Sequence, residues 1–251
     1  MRNDALARRA EAVPGGAGRV SVDAVVFDWG GTLTPWHALD HLDCWQACGF
    51  APAEVARLAQ VEQELWERAR ERQESGTMAA LFEAAGIAAA DAVLTAYYDW
   101  WEPHTYIDPD GPALLAALRD RGIKVGVLSN TLWPREVHER VFARDGILDL
   151  IDGAVYTSEI RWTKPHPEAF RAALAAVGVT DPARAVFVGD RPFDDIHGAK
   201  SVGMRAVLVP HSTIPDRQRG PVAGEPDAVV HRLSDLLPLV DAWRCAADPT
   251  P

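Results

Sequence analysis

In this chain of 251 residues, the side chains best suited to chemistry stand where short apolar runs stop. Asp28 ends the run VVFD, Ser129 and Asn130 end VLSN, and Asp190 ends VFVGD, with Asp194 and Asp195 close behind in RPFDD. A fourth stretch, RWTKPHPEAF, offers Lys164 just ahead of a helical pattern. A carboxylate at the tip of a buried strand is expensive unless something uses it. Two acids on one short loop repel unless a cation lies between them. Taken singly, each stretch has a plainer reading. FDWGGT reads as a strand and a glycine turn, LSNT as a helix cap, TKPHPEAF as a helix start with an early proline, and GDRPFDD as a solvated acidic loop. Their order changes this. All four follow, or lie between, strands of one pattern, so acid, hydroxyl, lysine and acid pair converge on one crevice.

The elements that must position them alternate in texture. Val22 to Asp28, Ile123 to Asn130, Ala185 to Asp190 and Arg205 to Val209 are continuous apolar runs rich in valine, suited to parallel strands covered on both faces. GPALLAALRDRG, PREVHERVFARDG, PEAFRAALAAVG and DIHGAKSVG lie between or after them and read as helices, several closed by glycine. Strand and helix in alternation predict an α/β sheet with right-handed crossovers. The interval 36–105 differs: Val55, Leu58, Val61, Leu65 and Trp66 recur at a helical period, and no strand signal interrupts it. It reads as an all-helical insertion after the first strand, returning through EPHTYIDPDG. The expected division is a loose tail at 1–19, an α/β core at 20–35 and 106–244, a helical cap at 36–105, and a C-terminal tail at 245–251.

Composition bounds the partners. A net charge of −11 disfavours nucleic acid, whose phosphates are bound by clustered Lys and Arg. It leaves small phosphorylated molecules open, because a bound cation reverses the sign locally. No apolar run is long enough for a membrane span, and the first residues lack the apolar centre of a signal peptide, so a cytoplasmic protein without a membrane partner is expected. Cys44 and Cys48 share a helix face with no further ligand pair beside them and read as core thiols. The oligomeric expectation is a monomer or homodimer.

The four stretches together resemble the motifs of the haloacid dehalogenase superfamily of hydrolases. Phe27, Asp28, Gly31 and Thr32 match its first motif, Ser129 its second, Lys164 and Pro165 its third, and Gly189, Asp190 and Asp195 its fourth. The resemblance implies a Rossmann-like parallel sheet with a small helical cap over the site. It implies a Mg2+-dependent phosphatase acting on a small organic phosphate through an aspartyl-phosphate at Asp28. Asp28, the backbone carbonyl of Gly30, Asp190 and Asp195 would surround the metal. Ser129 and Lys164 would join Asp28 as catalytic groups, and Gly31, Thr32, Asn130, Trp36 and His37 would meet the substrate.

Gly30 departs from the pattern. Most phosphatases of the family have there a second Asp, which protonates the leaving oxygen and later activates water; glycine does neither, although its carbonyl survives. Phosphonatases have a small residue at this position but need a cap lysine, and the only lysines are Lys124, Lys164 and Lys200. The 2-haloacid dehalogenases expel halide without a proton and without metal, but place an aromatic residue where Gly30 stands; Trp29 comes one place early. P-type ATPases need a membrane domain. Displacement at carbon, or a low-turnover phosphate-binding regulator, are the alternatives to a phosphatase whose proton carrier comes from elsewhere. His37, His41 and His104 are the candidates for that carrier, with His37 nearest along the chain. Trp36 and Trp133 are expected to line the cleft, and Trp45, Trp66, Trp100 and Trp101 to pack the cap.

Overall fold

The structure, a computed structural model, describes residues 11–12, 21–37, 39–210 and 224–245. Its strands are β1 (Glu11–Ala12), β2 (Ala24–Phe27), β3 (Lys124–Ser129), β4 (Gly153–Tyr156), β5 (Ala185–Gly189), β6 (Arg205–Leu208) and β7 (Ala228–Val229). They form one sheet in the order β1-β7-β6-β5-β2-β3-β4, parallel except where β1 adds antiparallel to β7. The α/β sheet expected from the sequence is therefore present. It gains three strands that the apolar runs do not announce: β1, β4 and β7. Glu11 and Ala12 belong to the segment read as a loose tail, and the rest of that segment lies outside the described residues.

Both faces of the sheet are covered, which is why its strands read as unbroken apolar runs. Val25, Phe27, Val125, Val127, Val186 and Val188 pack on one face under helices α5 (Gly111–Asp120), α6 (Arg135–Arg144) and α9 (Leu236–Cys245). The alternate residues Ala24, Val26, Leu128, Ala185 and Phe187 face α7 (Pro167–Ala176) and α8 (Gly198–Ser201) on the other.

Four helices lie between β2 and α5: α1 (His41–Ala47), α2 (Pro52–Arg72), α3 (Met78–Ala85) and α4 (Asp91–Trp101). Thr77 caps α3 by accepting from Ala80 N at 3.0 Å, and Gln73 ends α2 in the left-handed conformation, φ 56°. Trp45, Leu58, Phe82 and Tyr97 form their core, with Trp66, Trp100 and Trp101 half-buried against it. Cys44 is buried there and Cys48 half-buried; burial foremost pushes the Cys44 thiol up, as suits a core thiol. Leu132, Trp133 and Val137, from the segment after β3, belong to the same cluster, so cap and core share one apolar seam. Among the described residues no helix is long and apolar enough to cross a membrane.

Candidate active site

Strand order β5-β2-β3 sets three of the motifs side by side at the carboxyl edge of the sheet. Phe27 pairs with Val188 of β5 and Val127 of β3, and Asp28 N donates to Val188 O at 2.9 Å. Asp28, Ser129 and Asp190 thus leave neighbouring strands at one level, each buried. Lys164 reaches in from the loop before α7. Its Nζ donates to Asp28 Oδ1 at 2.6 Å and to Asp195 Oδ1 at 2.7 Å, with the side chain 2% exposed. Burial alone would pull this ammonium down; the charges of Asp195 and Asp28 outweigh it and hold the amine protonated. Thr32 Oγ1 donates to the other Asp28 oxygen, Oδ2, at 3.4 Å.

The segment after Asp190 turns as a π-helix, Pro192–His197, a wider turn than an α-helix. That turn carries Asp195 back over the end of β5, where Arg191 N donates to its Oδ2 at 2.9 Å. Any side chain at Gly189 would run into the Asp195 carboxylate, so glycine is required there. Burial, then the negative charges of Asp28 and Asp195, raises Asp190 far above the ordinary carboxylate range. Burial likewise raises Asp194, and pushes Asp195 to about 6 although Lys164 pulls the other way. Arg191 is held above its usual value against burial by Asp190, Asp194, Asp28 and Asp195. Four carboxylates thus gather round two cations, and a divalent ion would balance the remainder.

The donor set fits such an ion. Asp28, Asp190 and Asp195 each offer an oxygen within 4.8 Å of the others. Both Asp190 oxygens are buried without a hydrogen-bond partner, and among the described residues no hydrogen bond ends on the Gly30 carbonyl. All are hard oxygens of the kind that hold Mg2+. Asp190→Asn keeps the shape and removes one buried like charge. Metal-free protein should then melt higher than the parent in chelator, by several degrees, while magnesium no longer raises its Tm. Thermal melts with and without magnesium decide this; an unchanged magnesium response would show that Asp190 is not a metal ligand.

Several residues expected at the substrate have other partners. Asn130 uses both ends of its amide on Lys164: Oδ1 accepts from Lys164 N at 2.9 Å and Nδ2 donates to Lys164 O at 3.1 Å. It orients the lysine. The Gly31 amide donates to Thr34 O at 2.7 Å and so is turned into its own loop. Gly31 is needed for another reason: its φ is +93° and an added Cβ would sit 2.5 Å from Asp190 Oδ2. Trp36 is half-buried, with the Arg191 guanidinium 5.4 Å from its ring centre. His37 is exposed, and its ring contact is with His104 at 5.4 Å rather than with Asp28; the side chain of His41 lies outside the described residues. Trp133 is buried against Trp29, Tyr98 and Trp101, and it also lines a small cavity with Tyr98, Val137 and Arg140.

Two groups escaped sequence reasoning. Arg191 sits inside the fourth motif, where a basic residue among acids was the available signal. His138 gave none beyond its place on the buried face of α6. It is fully buried, stacked on Tyr156 at 4.4 Å and edge-on to Trp29 at 4.6 Å, with Nε2 3.1 Å from Thr131 Oγ1. Burial, then Arg135, pushes it down to about 3. An unfolded histidine titrates near ~6.5. Between these values the unfolded chain binds the extra proton, so the stability due to His138 is complete above ~6.5 and falls with pH below it, by up to ~1.4 kcal/mol per unit. Denaturant titrations from pH 7 to 4 should show a shallower acid slope for His138→Phe than for the parent; equal slopes would show that another group titrates.

Comparison with known proteins agrees with this fold. A family model described as haloacid dehalogenase-like hydrolase matches residues 22–203. The glyceraldehyde 3-phosphate phosphatase of Methanopyrus kandleri is 32% identical over 149 residues, which are 59% of this chain and 63% of that protein. The chain therefore spans less than two thirds of that relative's length. A HAD phosphatase from Thermococcus onnurineus has the same fold, with TM-score 0.65 at 24% identity over 87% of this chain and 98% of that one. The L-2-haloacid dehalogenase of Xanthobacter autotrophicus superposes with TM-score 0.59 at 25% identity, covering 88% and 98%. With four motifs brought to one sheet edge and a family model matching most of its length, the chain belongs to the haloacid dehalogenase-like hydrolases.

Proposed function

We propose that the protein is a phosphatase for a small organic phosphate, with Mg2+ held by Asp28, the Gly30 carbonyl, Asp190 and Asp195. The observation that carries this reading is Asp190, whose two buried oxygens have no protein partner beside an acid already paired with a buried lysine. When bound, the cation would offset the repulsion between an anionic carboxylate and an anionic phosphoryl group. Asp28 supplies the attacking oxygen: a bond forms from its carboxylate to phosphorus as the ester P–O bond breaks, and water then cleaves the aspartyl-phosphate. Lys164 holds the nucleophile by one oxygen and Thr32 by the other, so the attacking group is pre-oriented. Lys164 also places positive charge beside the transferring group, and Ser129 stands at the end of the neighbouring strand to donate to a phosphoryl oxygen.

A second reading, halide displacement at carbon, draws on the likeness to the Xanthobacter dehalogenase and on the missing acid at Gly30. The unpartnered oxygens of Asp190 favour the metal-dependent reaction instead. A panel of phosphate esters and 2-haloacids, assayed for released phosphate and halide in magnesium and in chelator, separates the two. Phosphate release that stops in chelator is the expected result. Halide release indifferent to chelator, with no phosphate release, would overturn it.

A further inference from the structure

The loop that presents Lys164 is fastened to the cap by main-chain hydrogen bonds. Gln73, in its left-handed conformation, turns the chain at the end of α2, and Glu74 then pairs antiparallel with Trp162. Ser75 N donates to Arg161 O at 2.9 Å, and Thr163 N donates to Gln73 O at 2.9 Å. The Ser75 hydroxyl adds a third bond, to Ile160 O, and Thr163 Oγ1 donates to Ala69 O at 3.4 Å. Three residues on, Met78 N donates to Leu132 O at 3.0 Å, tying the same cap segment to the loop that follows Ser129. Thr163 is the residue before Lys164, and Asn130 clamps Lys164 itself from the core side. The lysine backbone is therefore fixed between a core amide and a two-stranded ladder to the cap.

We propose that Ser75 is a positioning residue for Lys164, so that the seating of the cap is read directly at the ammonium that pairs with Asp28 and Asp195. This rests on the phosphatase reading for its catalytic consequence, but its structural half does not. Ser75 is the member of the ladder that bonds twice to the lysine loop, once by its amide and once by its side chain. It contributes no group to the acid cluster, and its partners are the carbonyls of Ile160 and Arg161. With the hydroxyl gone, the loop from Ile160 to Lys164 is held less tightly and the ammonium samples positions away from Asp28. Ground-state binding in the cleft is untouched, because Ser75 is not placed at the substrate.

The test compares parent, Ser75→Ala and Ser75→Thr as full chains. Hydrogen–deuterium exchange of a peptide spanning residues 160–165 should rise about three- to tenfold in Ser75→Ala, the loosening expected from one lost hydrogen bond. Exchange in β2 and β5 should stay as in the parent. Phosphatase kcat should fall by a similar factor with KM unchanged, and Ser75→Thr, which keeps the hydroxyl, should restore both readouts. Unchanged exchange at residues 160–165 in Ser75→Ala would overturn the proposal, as would a rise spread evenly over the whole protein. A KM increase alone would also overturn it, by placing Ser75 at the substrate. If the parent releases no phosphate from any ester, the functional reading fails, while the exchange comparison still decides the coupling.

Discussion

Asp28→Asn should abolish turnover, lowering the rate by at least about a thousandfold, while the protein remains folded. On the proposed reading the carboxylate supplies the bond to phosphorus, and an amide oxygen is too weak a nucleophile to replace it. The side-chain shape is kept, so β2 and its pairings are not disturbed. Lys164 loses the charge of one partner but retains Asp195 at 2.7 Å and an amide oxygen in place of Asp28 Oδ1. The acid cluster loses a negative charge, and Asp190, which is raised partly by Asp28, is relieved. Metal-free Asp28→Asn should therefore melt no lower than the parent. Steady-state phosphate release and a thermal melt on the same preparation check both halves. A variant retaining a tenth of the parental rate would show that another group attacks.

The adjacent glycines should respond in opposite ways. At Gly30 an added Cβ meets nothing within 4 Å, and the residue is absent from the glycines with positive φ, so Gly30→Ala should fold and bind magnesium as the parent does. At Gly31 the backbone is left-handed at φ +93° and a Cβ would press on Asp190, so Gly31→Ala should lose magnesium affinity and activity together. Gly30→Asp then becomes a clean test of the missing acid. General acid–base catalysis typically contributes ~10²–10⁴-fold, and a carboxylate on an unstrained backbone should recover at least about tenfold for alkyl phosphates, whose leaving oxygen needs a proton. An aryl phosphate, with a good leaving group, should gain little in the first step. Rates for the two ester classes across the three variants check this. If Gly30→Ala is tolerated and Gly30→Asp accelerates no ester, the missing acid does not limit the reaction. His37 is exposed, with its ring 5.4 Å from that of His104.

The sequence by itself determined the central strands and the acids at their tips. Strands buried on both faces must be apolar throughout, so β2, β3, β5 and β6 stand out as valine-rich runs, and a charge that ends such a run is conspicuous. Asp28 and Asp190 stand out in the sequence for that reason, and Ser129 as the polar end of another such run. β4 and β7 escaped because they are short and lie toward the sheet's edges, where GAVY and a pair of residues carry no period to read. What each polar side chain touches was a tertiary decision. Asn130 faces Lys164 because the loop before α7 folds across the end of β3, and Arg191 meets four acids because a π-turn returns Asp195 to the strand. Trp29 stands one residue after Asp28 yet packs on Trp133 and His138, so an aromatic next to Asp28 serves the seam between the helical segment and the sheet. The ladder from Gln73–Ser75 to Ile160–Thr163 left no mark in the sequence at all. It joins segments more than eighty residues apart mainly through backbone amides and carbonyls, which nearly every residue possesses, with the Ser75 and Thr163 hydroxyls adding to them, so only the folded chain selects which of them meet.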